Sequence, residues 1–164
     1  MIIMSLQEET RFEISETKQS RSGLTTVEII NKLFTKFSIY ESNELSKQFE
    51  GKKIPNISIK DYLGRIQHYL DIHYSTNIIA LIYMERFCEL NKLKLGLENF
   101  HRLYFVSLII AIKFNEDECY GNNYYSKVGG IQVSAFNSLE TLFLKNLNYS
   151  LYVSIENFDT FVDF

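Results

Sequence analysis

Residues Phe100 to Phe114 read FHRLYFVSLIIAIKF, and no other stretch limits the possible folds as severely. Between Arg102 and Lys113 the run LYFVSLIIAI has Ser107 as its only polar member. On a helix those side chains point in every direction, so the segment has to be surrounded by neighbours on all sides. It is too short to cross a bilayer, which takes about 20 apolar residues. The expectation is a central helix inside a helical domain, ending at Lys113. That cation must snorkel out of the core or reach a specific acceptor.

The surrounding chain supports one domain. Its 164 residues allow a real core but not two comfortable ones. A content of 46% apolar and 15% aromatic residues excludes wholesale disorder, and a single proline with seven glycines suits long helices. The net charge of −3 gives no electrostatic reason to expect nucleic-acid or membrane partners. Cys88 and Cys119 are too few and too far apart for a disulfide scaffold or zinc site, so reduced thiols in a cytoplasmic or nuclear protein are expected. The segment QEETRFEISETKQSRSG lacks the apolar core of a signal peptide.

Periodicity predicts helices throughout. Residues 1–23 are expected to form a flexible tail, and residues 24–57 a helix and a connector. Thr25 or Thr26 can cap a helix to about Ser46 whose stripe includes Val27, Ile30, Phe34, Phe37 and Tyr40. Pro55 ends the connector by pushing Ile54 toward extended geometry. Ser58 with Asp61 three positions on begins a helix to about Ile72. Ser75 is expected to cap a helix from Thr76 to about Leu90, Gly129-Gly130 to stop a short turn, and Ser134 to cap a helix to about Leu147. Ser154 starts a last helix. No stretch alternates over a strand's length, so the fold class is all-α.

Catalysis finds little support. His68, His73 and His101 have no metal-pair spacing, and no nucleophile elbow, P-loop or zincin motif occurs. Glu116-Asp117-Glu118 lacks the alternation of a calcium loop. No cofactor, metal or small-molecule substrate is expected. Four charges in apolar company need partners. Arg65 and Glu85 are expected to pair across adjacent helices, the alternative being that each borders the core. Lys113 and Glu140 either pair with each other or stay free to grip another chain.

Five runs then carry a family resemblance: FEGKKIPNISIKDYLGRI (49–66), ALIYMERF (80–87), FHRLYFVSLIIAIKF (100–114), NNYYSKVGGI (122–131) and NSLETLFLKNLNYSL (137–151). In order and spacing the chain resembles the cyclins, specifically the P-type or U-type group related to the yeast phosphate-pathway cyclin. The resemblance implies a five-helix cyclin box over residues 58–164, an additional N-terminal helix, and no second box. It implies a non-enzymatic regulatory subunit that binds and activates a cyclin-dependent protein kinase through the kinase's C-helix. Lys113 and Glu140 match the family's kinase-holding lysine and glutamate, and Ile110, Phe114, Leu144 and Leu151 match its apolar contacts. Arg65 and Glu85 match its internal ion pair, with glutamate where aspartate is usual. Thr76, Ser126 and Phe136 stand where the family has proline, alanine and glutamate. The alternatives are a non-activating cyclin-fold scaffold and an interaction module like the general transcription factors of this fold. The latter use paired boxes and basic surfaces.

Overall fold

The computed structural model describes residues 25–163. These form helices α1 (Thr26–Phe37), α2 (Glu44–Gln48), α3 (Ile59–Leu70), α4 (Tyr74–Asn91), α5 (Leu97–Asn115), α6 (Asn122–Gly129), α7 (Val133–Asn146) and α8 (Ile155–Asp163), with no strand among the described residues. The all-α expectation holds. From Ser58 onward six helices appear rather than five, because α6 is a full short helix. The tail expected over residues 1–23 lies outside the described residues.

The apolar run does become the centre. In α5 every residue from Leu103 to Ile112 is buried, and Ser107 is satisfied by donating to the Tyr104 carbonyl one turn back at 2.8 Å. Helix α4 packs along it most extensively and is itself buried on several faces, from Ile78 through Cys88. Helices α6 and α7 close the other side of α5, while α1 and α8 lie against α4. The core includes a layer of rings. Phe87 of α4 and Phe143 of α7 stack at 4.5 Å and 5°, and Phe49 meets Phe87 edge-on at 5.4 Å. Phe49, placed in a connector by its sequence, is fully buried and pins that connector to the core. Phe136 is buried as well, packed 5.8 Å from Phe105.

Local chemistry explains where the helices start and stop. Thr25 and Glu28 form a reciprocal capping box, with Glu28 N–H donating to Thr25 Oγ1 at 3.2 Å and Thr25 N–H to Glu28 Oε2 at 2.6 Å. The helix expected to reach Ser46 stops at Phe37. Ser38 and Asn43 offer the backbone competing side-chain partners: Ser38 Oγ donates to the Thr35 carbonyl, and Asn43 caps the new helix α2 through Ser46 N–H at 2.8 Å. Ser58 and Ser154 cap α3 and α8 as expected, at 3.1 Å to the backbone N–H groups of Asp61 and Asn157. Ser75 and Ser134 do not cap: α4 and α7 begin earlier, after His73 and Gln132, neither with a side-chain cap.

The two glycines after α6 have different reasons. Gly130 takes the left-handed conformation at φ 64°, which ends the helix. Gly129 is required for space: a Cβ there would collide with the ring of Phe105, which is fully buried and has nowhere to go.

Candidate functional site

The end of α5, the start of α6 and the middle of α7 meet at Lys113. This lysine sits in the last turn of α5, where the helix dipole favours a cation. Its ammonium donates to Glu140 Oε1 of α7 at 2.6 Å and to Asn122 Oδ1, the first residue of α6, at 2.7 Å. The Asn122 amide then donates to Glu140 Oε2 at 2.8 Å and to Asn137 Oδ1 at 2.6 Å. Of the two arrangements left open by the sequence, the isolated chain adopts the paired one. The lysine side chain keeps 32% of its exposure and the glutamate 15%, so the pair remains reachable from outside. An ammonium has three donors, and two are used internally. Asn122 was missed by sequence reasoning, since an asparagine before a short helix reads as an ordinary turn residue.

The expected apolar contacts fall into two groups. Phe114, next to the lysine, is 55% exposed, while Leu144 and Leu151 are half-buried against the core. Ile110 is only 3% exposed and serves the core of the free chain. Around Leu151 further large side chains face solvent, namely Tyr149, Tyr152 and Ile155.

The turn that carries Leu151 is held by residues that sequence reasoning did not single out. The Tyr83 hydroxyl donates to the Leu151 carbonyl at 2.6 Å and accepts from Asn115 Nδ2 at 3.3 Å, tying the end of α5 to this turn. Arg86 donates to the carbonyls of Ser150 and Tyr152 at 3.1 and 2.9 Å. Tyr149 N–H closes the end of α7 on the Leu144 carbonyl at 3.0 Å, with Asn148 and Tyr149 both left-handed at φ 54° and 55°. Lys113, Phe114, Leu144 and Leu151 therefore belong to one braced edge of the molecule.

The expected Arg65–Glu85 ion pair is not formed. Arg65 is exposed on α3, whereas Glu85 accepts from Lys36 of α1 at 2.8 Å. The reason lies in the packing. Helix α3 leans on the start of α5, where the Tyr62 hydroxyl donates to the His101 carbonyl at 3.2 Å, and on α6, while α1 lies along α4 at Glu85. Burial acts to lower the Lys36 pKa, but the hydrogen bonds and charges of Glu85 and Glu89 outweigh it and leave the pKa raised. Among the described residues no cluster of metal-ligating side chains occurs, and no helix is long and apolar enough to cross a membrane. Cys88 and Cys119 are free, the first buried and the second exposed.

The sequence of this helical domain is matched by known proteins. The family model described as Cyclin matches residues 2–151, and the chain belongs to the cyclin family. Within that family its relatives are of the plant U and P types. It is similar to Cyclin-U2-2 of Arabidopsis thaliana, 37% identical over 114 residues that cover 69% of this chain and 50% of the relative. Cyclin-U4-3 of the same plant is 39% identical over 117 residues, covering 71% of this chain and 53% of the relative. Cyclin-P3-1 of Oryza sativa subsp. japonica is 31% identical over 157 residues, covering 90% of this chain and 66% of the relative. The chain thus spans about half to two thirds of the length of these relatives.

Proposed function

We propose that this chain is a kinase regulatory subunit whose braced edge docks on the C-helix of a cyclin-dependent protein kinase and activates it. Such kinases require an ion pair between a strand lysine and a C-helix glutamate, together with a correctly placed magnesium-binding aspartate. A subunit that binds the inward position of that helix better than the outward one shifts the population toward the active state. The observation that carries this reading is the Lys113–Glu140 pair beside exposed Phe114 and half-buried Leu144 and Leu151. Lys113 has one donor left for a kinase backbone carbonyl, and the Glu140 carboxylate retains lone pairs for kinase N–H groups. Phe114, Leu144 and Leu151 supply apolar area, and Tyr149, Tyr152 and Ile155 extend it. Ile110 acts behind this surface, as the floor that keeps Phe114 and Lys113 in place. In this reading the chain supplies a docking surface rather than a catalytic group, cofactor or metal.

The test is a reconstituted kinase assay. A cyclin-dependent kinase captured by this protein from its source cell is assayed with and without the purified chain. Activation that is lost on combining Lys113→Ala with Glu140→Ala supports the proposal. Tight binding with unchanged kinase activity would overturn the activating role.

A further inference from the structure

We propose that the groove between α1, α4 and α8 binds a small amphipathic carboxylate, an anion carrying an apolar chain or ring. Helices α1 and α8 both lie against α4, and the groove, of about 390 Å3, runs between them. Its floor is apolar, built from Ile29 and Leu33 of α1, Ile82 of α4 and Phe161 of α8.

Size decides what kind of occupant fits. Pockets for small molecules measure roughly 300–1,000 Å3. One turn of a partner's helix, about 10 Å across and about 5.4 Å long, already fills roughly 420 Å3. A compact molecule can therefore be enclosed here and a docked helix cannot.

Charge decides the polar end of that molecule. Arg86 of α4 lines the groove and is half-buried. Its guanidinium is held in place by donating through Nη1 to the carbonyls of Ser150 and Tyr152, at 3.1 and 2.9 Å. Its other N–H donors are unused among the described residues, and no carboxylate there pairs with it. A guanidinium grips a carboxylate through two parallel N–H donors, and one already fixed in position loses little freedom in doing so. Glu85, the one carboxylate lining the groove, is taken by Lys36 at 2.8 Å.

Two further polar groups line the α8 side. The Asn157 amide and the Thr160 hydroxyl make no side-chain hydrogen bond among the described residues, and both carry donors suited to carboxylate oxygens. Each half of the ligand answers one half of the groove. A purely hydrophilic anion would leave the apolar floor unused, and a neutral apolar molecule would leave the guanidinium without a counter-ion.

The experiment titrates the isotope-labelled full chain with octanoate, octanol and acetate, read by amide chemical shifts. The proposal expects saturable shifts with octanoate at residues 29–36, 82–86 and 157–161, which border the groove. It expects octanol to bind at least tenfold more weakly, and acetate to give no saturable shift. Octanoate binding should weaken at least tenfold in Arg86→Gln. Because Arg86 also holds the Leu151 turn, Thr160→Phe is the second variant: its ring, added at an exposed position, would fill the groove, and the same loss is expected. Absence of saturable octanoate shifts, shifts confined to other residues, or wild-type binding by either variant would overturn the proposal. Octanol binding as tightly as octanoate would overturn the carboxylate assignment, and acetate binding as tightly would overturn the apolar one. No kinase is present, so the outcome is independent of whether the braced edge activates one.

Discussion

The Lys36 ammonium lies 2.8 Å from the Glu85 carboxylate, joining the last turn of α1 to the middle of α4. Arg65, on an exposed face of α3, takes no part. Both partners are partly exposed, and such pairs contribute about 0.2–1 kcal/mol. Glu85→Gln should therefore lower stability by less than about 1 kcal/mol, while Arg65→Ala should stay within about 0.5 kcal/mol of wild type. Thermal denaturation of both variants decides this. A loss of several degrees in Arg65→Ala alone would contradict the pairing.

Combining Lys113→Ala with Glu140→Ala should abolish kinase activation with little effect on helix content. Truncating buried charged partners at an interface costs about 2–5 kcal/mol, which is roughly 30-fold or more in affinity. Asn122→Asp separates the network from the charges themselves. It places a carboxylate where an amide now donates to Glu140 Oε2 at 2.8 Å, so the melting temperature should fall although Lys113 and Glu140 are both intact. Calorimetry and a kinase titration on the same preparations check both statements.

Bracing of the Leu151 turn is a separate matter. Arg86→Ala removes two hydrogen bonds to the carbonyls of Ser150 and Tyr152. Tyr83→Phe removes the one to Leu151. Hydrogen bonds of this kind contribute about 0.5–3 kcal/mol, the charged ones most. Amide hydrogen exchange should accelerate across residues 147–154 in Arg86→Ala while the core of α5 stays protected. Unchanged exchange in that turn would show that Arg86 does not hold it.

Gly129→Ala tests close packing rather than backbone freedom. The added methyl would press on the Phe105 ring, and overpacking of this sort costs about 1–3 kcal/mol. Pairing it with Phe105→Leu should recover part of the loss, as measured by denaturant midpoint.

His101 sets an acid-side dependence. Burial lowers its pKa, with the Leu97 carbonyl opposing, so the cation is disfavoured in the folded state. A group with a depressed folded pKa contributes stability above its unfolded value, near 6.5, and loses it as the pH falls toward the folded value. The melting temperature should therefore fall on going from pH 7.5 to 5.5, and fall less in His101→Gln. Equal slopes would remove His101 as the cause.

How much of this could be read from the chain depends on the length scale of each interaction. The burial of Leu103–Ile112 was legible because ten successive residues with one hydroxyl leave no solvent-facing side. The caps at Ser58 and Ser154 were legible because the partner is three positions away. The long first helix was overextended, since apolar spacing continues past Phe37 while Ser38, Ser42 and Asn43 compete locally for the backbone. Glu85 could be flagged as needing a cation, but choosing Lys36 over Arg65 required knowing which helix lies along α4.

The site divides in the same way. Lys113 and Glu140 stood out as charges in apolar surroundings and the structure brings them together. Asn122, Arg86 and Tyr83 act through contacts 9 to 68 residues apart in sequence, and no local pattern marks them. Ile110 differs: the family resemblance offers it as a contact residue, and in the free chain it is only 3% exposed.

Helix α5 is enclosed from Leu103 to Ile112 and emerges at its C-terminal end at Lys113, Phe114 and Asn115. In the proposed docking mode a visitor meets the tip of a rod rather than its flank. Substitutions inside the rod change how firmly it stands without altering what the visitor feels, so affinity and sturdiness can drift separately as such sequences diverge.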